Sequence, residues 1–457
     1  MNLPAEIFRT YDIRGVVGRT LTPAIVREIG RALGSLGRER GAPAFAVCRD
    51  GRLSGPELSA ALADGLAAAG ADVIDIGMAP TPVAYFAAHH LGCGSCVAVS
   101  GSHNPPQYNG LKMVVAGTTL YGDEIQELRK RIEKGQLSSG AGKRRSENVL
   151  EAYVERIASD VKLARSFDIA VDCGNGVAGM LAPGLYRRLG CKVTELYCDV
   201  DGNFPNHHPD PAQPENLREL VKTLAASSCE LGLAFDGDGD RLGVVTKDGE
   251  VIFPDRQLML LAKDVLSRNP GAEIIYDVKS TRLLAPWIER HGGRPLLWKT
   301  GHSLIKAKLA ETGAALAGEM SGHTFFKERW YGFDDALYAG ARLLEILSRS
   351  HDASGVLNAL PDAPSTPELQ WKLAEGEPHA LVARLQAAKP FPNAARTVTI
   401  DGVRAEYADG FGLARASNTT PVIVLRFEAD TDAALRRIQQ EFRAALQPLK
   451  PDAPLPY

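Results

Sequence analysis

Asp236-Gly-Asp238-Gly-Asp240 places three carboxylates on alternate positions, with glycines that let the backbone curl around a point. Three like charges this close at the end of an apolar strand repel one another unless a cation sits among them. Hard oxygen ligands at that density suit Mg²⁺, which takes a few carboxylates plus a phosphate oxygen or water. An EF-hand does not fit, because that loop wants glycine sixth and glutamate twelfth, where this chain has Arg241 and Lys247. A second candidate is Ser102 in Ser100-Gly-Ser-His-Asn-Pro105, a hydroxyl in a turn directly after a strand. It is open to three readings: hydrolase nucleophile, phosphoryl acceptor or plain turn residue. No serine satisfies G-x-S-x-G, which weakens the first. A phosphoserine would carry close to two negative charges and need a cation, which the aspartate loop offers.

Two further loops add binding chemistry. Arg415 with Ser417, Asn418, Thr419 and Thr420 combines a planar fork with short donors, either a cradle for a ligand phosphate or an ordinary capped turn. Glu319 and Ser321, in Gly318-Glu-Met-Ser-Gly-His323, offer an acceptor and a hydroxyl of the kind vicinal sugar hydroxyls require. One motif points to a different class of protein. Gly174-Asn-Gly176-Val-Ala-Gly179 follows a strand and has Asp199 downstream, the parts of a dinucleotide fingerprint and hence of an NAD-linked oxidoreductase. Equivalent turns elsewhere in the chain need no cofactor, so a structural turn is the expected role. A non-catalytic sugar-phosphate binding protein is the third class. It would keep the phosphate cradle without needing the serine turn and the carboxylate loop together.

The elements that must position these loops form a threefold repeat. Strands ending at Asp50, Asp172 and Asp277 each run into a turn, a helical stretch and a second apolar strand, then a third strand that breaks into one of the polar loops. Spacings of 122 and 105 residues between those aspartates suit whole α/β domains. Strands alternating with helices predict parallel sheets, with ligands beyond the carboxyl ends of the strands. The three loops can then converge if the domains face inward. After the proline-rich segment Pro361–Pro367, a predicted linker and hinge, the pattern shows one good strand (422–427) and a helix (431–446). The expected domains are 1–147, 148–250, 251–363 and 364–457: three repeated α/β domains plus a smaller C-terminal α+β domain around a central cleft.

Composition is the ordinary balance of a soluble globular protein. The 457 residues are 45% hydrophobic and 23% charged, with a net charge of −3 that gives no global basic field for nucleic acid. No stretch approaches 18 consecutive apolar residues, so no membrane span is expected, and the start lacks an apolar signal core. Seven scattered cysteines read as reduced thiols in a cytoplasmic chain, and Cys93-Gly-Ser-Cys96 has redox spacing without the context that would support it.

Taken in order, the four loops, with Tyr11-Asp-Ile-Arg-Gly15 and Asn206-His-His-Pro-Asp-Pro211, resemble the α-D-phosphohexomutases over essentially the whole chain. Met320 between Glu319 and Ser321 is similar to the bacterial phosphomannomutase/phosphoglucomutase branch, whereas phosphoglucosamine mutases, the alternative within the family, usually carry Gln there. Ser100 stands where Thr is commoner. The resemblance implies a mutase that interconverts hexose 1- and 6-phosphates of glucose and mannose through a bound glucose or mannose 1,6-bisphosphate; a monomer is expected. It implies Ser102 as the phosphoserine, completing a Mg²⁺ site with Asp236, Asp238 and Asp240. Arg14, Lys112 and His302 would handle protons or charge near Ser102. Glu319, Met320, Ser321, Gly322 and His323 would meet the sugar, and Arg415, Ser417, Asn418 and Thr419 the phosphate not being transferred. Tyr11, Arg241 and Lys279 would complete the substrate site.

Overall fold

A computed structural model describes residues 3–418 and 420–457. The first repeat contributes strands β1 (Ala44–Arg49), β2 (Asp72–Met78), β3 (Cys96–Val99) and β4 (Tyr108–Val115). The second contributes β5 (Asp168–Asp172), β6 (Lys192–Leu196), β7 (Leu231–Phe235) and β8 (Leu242–Thr246). The third contributes β9 (Glu273–Asp277), β10 (Arg294–Trp298), β11 (Leu316–Gly318) and β12 (Thr324–Phe326).

In each repeat the first strand lies between the other two, parallel to both, so the order is β3-β1-β2, β7-β5-β6 and β11-β9-β10. The parallel core of each sheet carries an antiparallel addition. In every repeat the chain leaves the third strand through its polar loop and returns antiparallel beside it, as β4, β8 and β12. The loop is therefore the tip of a hairpin, fixed on both sides by ladder hydrogen bonds, which makes it a better platform than a loop leading into a helix.

The interior strands are apolar runs buried on both faces, as helix-covered sheets require. One continuous apolar cluster runs from Ala46 and Cys48 of the first repeat through Phe235 to Tyr338 and Leu360 of the third, so these three domains share a core. Helices Pro23–Glu39 and Gly55–Ala68 cover the other face of the first sheet. Thr22 caps the first of them, its hydroxyl accepting from the Ile25 amide at 3.3 Å.

The C-terminal domain holds more sheet than the one strand expected. Strands β13 (Leu369–Lys372), β14 (Arg396–Val398), β15 (Val403–Tyr407), β16 (Gly410–Ala416) and β17 (Val422–Ala429) form an antiparallel sheet in the order β13-β17-β16-β15-β14. Helices Glu377–Ala388 and Asp432–Leu446 cover it, with a separate core around Trp371, Phe427 and Phe442. The apolar contact to the third domain is small, Val278 against Phe411 and Leu413. The proline-rich segment is tied down in its second half: Thr366 donates to the Phe427 carbonyl at 2.9 Å and Ala429 to that of Pro364 at 3.0 Å. Only the first half is left to act as a joint.

The dinucleotide reading of Gly174–Gly179 fails on packing. A Cβ on Gly176 would lie 2.9 Å from the Gly237 Cα, and one on Gly179 would lie 2.0 Å from the Cys198 carbonyl oxygen. These glycines let protein backbones approach one another, and the chain continues into a four-residue 3₁₀ turn, Val177–Met180. The α-helix that follows begins only at Ala182, beyond the glycines, and not at the glycine turn where a pyrophosphate would sit. Among the described residues no helix is long and apolar enough to cross a membrane.

Candidate active site

The hairpin tips of all three repeats and the 415–420 loop of the fourth domain open on one cleft of ≈ 310 Å³. Ser102 sits at its edge. The turn that holds it is built from within: Gly101 donates to Asp50 at 2.9 Å, and the Ser102 amide donates to the Ser100 hydroxyl at 2.8 Å. Arg52, fully buried, donates to the carbonyls of Ser102 (2.7 Å), Asn104 (2.6 Å), Pro105 (2.7 Å) and Tyr108 (2.9 Å). This clamp keeps Ser102 in the left-handed region at φ 49°, a strained conformation for a serine, and strain of that kind collects at reactive residues. The hydroxyl donates to Asp236 Oδ2 at 2.8 Å and lies 3.2 Å from His103 Nδ1.

The carboxylate loop docks directly under the serine turn. A Cβ on Gly237 would fall 2.4 Å from the Ser102 carbonyl oxygen, so only glycine permits the approach. All three aspartates are fully buried, with ligand oxygens within 4.8 Å of one another. Asp238 Oδ2 accepts from Thr81 (2.5 Å), Ser100 (2.7 Å) and Lys112 (2.7 Å), and Lys112 also pairs with Asp240. Burial would raise the Asp238 carboxyl, but the Lys112 ammonium and these hydrogen bonds hold it well below the carboxylate range. Burial and its two neighbours push Asp236 the other way. Two further oxygens, Asp238 Oδ1 and Asp240 Oδ1, are buried without a hydrogen-bond partner, the second lying 3.5 Å from His323 Nδ1. Unpartnered anionic oxygens of this kind are costly to bury, and a divalent cation held by oxygen ligands answers them. The donor set fits a hard cation.

Beside Asp240, His323 Nδ1 lies 3.1 Å from Asp334, and its Nε2 accepts from Arg241 at 3.1 Å. His302 stacks on His323 with ring centroids 5.4 Å apart, its Nδ1 3.7 Å from the same Asp334. Burial and the nearby Lys306 push the His302 imidazole well below its usual pKa, so it is neutral at physiological pH. Arg14 pairs with Asp12 at 2.5 Å on the far side of Ser102.

The loops that carry Glu319 and Arg415 meet at the opposite wall. Glu319 accepts from the Gly301 amide, and burial raises its carboxyl pKa. Met320 and Ser321 line the cleft next to it. Arg415 donates to Asp401 at 2.7 Å and, at 3.1 Å, to the Tyr11 hydroxyl, which Asn418 also reaches. That hydroxyl donates in turn to the Thr300 carbonyl at 2.7 Å, so one phenol joins the first, third and fourth domains. Lys279 pairs with Glu368 at 2.5 Å, just past the proline-rich segment.

The cleft thus gathers Tyr11, Arg14, Ser102, Lys112, Arg241, Lys279, His302, Glu319, Met320, Ser321, His323, Arg415, Ser417 and Asn418 on its walls, with the aspartates beneath. Gly322 is not among the lining residues. At φ 105° it makes the hairpin turn, packed on Arg241 and Leu242. Thr419 lies outside the described residues. Sequence reasoning missed Asp50, Arg52, Asp334, Asp401 and Glu368. In the sequence the Asp-Gly-Arg turn after β1 stands out only as a structural turn, and nothing in the neighbourhood of the others marks them.

Comparison with known proteins decides the family. Four family models match in succession: the phosphoglucomutase/phosphomannomutase alpha/beta/alpha domains I (residues 5–139), II (151–249) and III (253–363) and the C-terminal domain (368–445). The chain belongs to the phosphoglucomutase/phosphomannomutase family. Among its relatives, a phosphomannomutase/phosphoglucomutase of Pseudomonas aeruginosa is 57% identical over 456 residues, covering 100% of this chain and 98% of that one. A phosphoglucomutase of Neisseria gonorrhoeae is 56% identical over 449 residues, covering 98% of each. A crystal structure of a phosphoglucomutase/phosphomannomutase family protein from Burkholderia thailandensis matches with a TM-score of 0.95 at 60% identity, covering 100% of both chains. A family enzyme of this kind is an intramolecular phosphotransferase, in line with the repeated fold and the four loops.

Proposed function

We propose that this chain interconverts hexose 1-phosphates and hexose 6-phosphates of glucose and mannose, with Ser102 as the phosphoryl carrier. The observation that carries the reading is the junction of the serine turn and the carboxylate loop: Ser102 Oγ 2.8 Å from Asp236, above two buried, unpartnered carboxylate oxygens. Asp236, Asp238 and Asp240 would hold Mg²⁺, which supplies charge neutralisation at the moving phosphoryl group.

Around that group the chain's own side chains do the positioning on which phosphoryl transfer depends. Arg14 and Lys112 bring fixed positive charge to Ser102. His302, whose imidazole burial and Lys306 keep neutral, is assigned the proton-taking role. Glu319 and Ser321 hold the sugar's O3 and O4, which lie roughly midway between C1 and C6. A grip there accepts the 1,6-bisphosphate in either orientation, and it leaves unread the C2 position at which glucose and mannose differ. Arg415, Ser417 and Asn418 bind the phosphate at rest while the other is exchanged with Ser102.

A coupled mutase assay with Mg²⁺ and a trace of glucose 1,6-bisphosphate tests the reading. Comparable turnover of glucose 1-phosphate and mannose 1-phosphate is expected, and loss of both in Ser102→Ala. Turnover of glucosamine 1-phosphate alone would keep the mechanism and replace the substrate.

A further inference from the structure

Two of the seven cysteines meet outside the cleft. Cys173 follows β5 and Cys198 follows β6, and their Sγ atoms lie 3.6 Å apart. The backbones around them are already joined, since the Cys173 amide donates to Leu196 at 3.1 Å and Asn175 to Tyr197 at 2.7 Å. The two sulfurs differ in access: Cys173 is buried and Cys198 half-buried. Both segments support the active site from below. The Cys173 turn carries Gly176 and Val177, and the Val177 amide donates to the Gly237 carbonyl of the carboxylate loop at 3.1 Å. The segment after Cys198 packs against the Arg52 clamp: a Cβ on Gly51 would lie 2.2 Å from Val200 Cγ1, and Phe204 stacks 5.1 Å from the Arg52 guanidinium. The Cys198 thiol also lies 3.5 Å from the Leu196 carbonyl and 3.6 Å from that of Val171, as the Cys93 thiol of the Cys-Gly-Ser-Cys motif lies 3.3 Å from that of Ser95.

We infer that Cys173 and Cys198 form a reversible, hydroperoxide-driven disulfide that ties together the two supports of the serine and carboxylate loops. The more accessible Cys198 thiolate attacks one peroxide oxygen. The O–O bond breaks, leaving a sulfenic acid on Cys198 and an alcohol, or water when the oxidant is hydrogen peroxide. Cys173 sulfur then attacks the sulfenic sulfur, and its proton leaves with the displaced hydroxide as water. Two thiols are oxidised by two electrons and one peroxide is reduced. Bond formation needs the sulfurs to close from 3.6 Å to about 2.05 Å. That movement shifts the Cys173 turn, whose Val177 amide holds the Gly237 carbonyl at 3.1 Å.

The test uses the full chain with hydrogen peroxide as the probe, followed by alkylation, peptide mapping and the mutase assay. Two thiols are expected to disappear, with a dithiothreitol-reversible link between the 173 and 198 peptides. The link should be absent in Cys198→Ser and in Cys198→Ala, and present in Cys93→Ser. Turnover should fall about tenfold on oxidation, the scale on which sub-ångström displacement of reacting groups acts, and return with reductant. Oxidation halting at Cys198 sulfinic acid, a link between other cysteines, or a 173–198 link with unchanged turnover each overturns the inference. The effect on rate rests on the proposed mutase function, whereas the peptide map does not. A chain inactive in both redox states would sink the mutase reading, and the map would still decide the disulfide.

Discussion

At the scale of single residues, the site is organised by Asp334 as much as by the residues that face the substrate. Its buried carboxylate accepts from Lys306 at 2.8 Å and lies within ion-pair reach of both His302 and His323. Asp334→Asn would remove the charge that fixes the two imidazoles while keeping the side chain's shape. Loss of such an orienting carboxylate typically costs 10–100-fold. The expected result is a fall of about that size in kcat with KM little changed, because the sugar and phosphate loops are untouched. A change confined to KM would place Asp334 outside the transfer step. The groupings around Ser102, the three aspartates and Arg415 stood out in the sequence because each is a dense local cluster. Asp334 was not: it reaches its partners across the third domain from a segment, Phe333-Asp-Asp335, with no pattern of its own.

At the scale of elements, the strand-to-loop transitions were the legible part. An apolar run ending at aspartate fixes a buried strand and its exit, and three such runs in series disclosed the repeat. What stayed hidden were strands whose burial does not follow from their composition. β16, fully buried, reads Gly-Phe-Gly-Leu-Ala-Arg-Ala, and β14 is mostly exposed at a sheet edge. Neither gives alternation or a continuous apolar run. Helix Ala336–Leu347 illustrates another hidden feature. Its N-cap, Asp335, accepts from the Tyr338 amide at 3.0 Å and from the Tyr153 hydroxyl at 2.8 Å. Even so, burial pushes the carboxyl up to about 7. An unfolded aspartate ionises near 4, so between about pH 4 and 7 the folded chain holds a proton that the unfolded chain has lost. Stability therefore falls as pH rises through that window and is flat above it. Asp335→Asn keeps a capping oxygen without the charge. Urea midpoints of the variant should lose less than those of the parent between pH 5 and 7.5; parallel losses would show that the carboxyl is ionised throughout.

For the whole molecule, the division of the core predicts how it moves. Three domains share one apolar cluster, whereas the fourth has its own and meets the third through a small apolar patch, Val278, Phe411 and Leu413, together with polar contacts such as Arg404 to the Val278 and Ser280 carbonyls and Thr281 to Glu428. Small, partly polar interfaces are where domains open. Rotation of the fourth domain about the segment before Pro364 would separate Arg415 and Asn418 from Tyr11. It would give the bisphosphate room to turn without leaving the cleft. The Tyr11 hydroxyl holds that interface closed through Thr300, Arg415 and Asn418, so Tyr11→Phe should favour the open form. Small-angle scattering of the variant should give a larger radius of gyration without ligand, converging on the parent's at saturating glucose 1-phosphate, with a raised KM. Identical profiles for both chains in both states would mean that the fourth domain is fixed.

Whether Ser102 carries the phosphoryl group is read by intact mass spectrometry with peptide mapping, without assumption about the sugar. Phosphatase-treated protein is mixed with glucose 1,6-bisphosphate and Mg²⁺. The account predicts a gain of about 80 Da, one phosphoryl group, on the peptide containing Ser102, removed again by excess glucose 1-phosphate and absent in Ser102→Ala. Turnover without any phosphorylated Ser102, or a stable label on another residue, would contradict it.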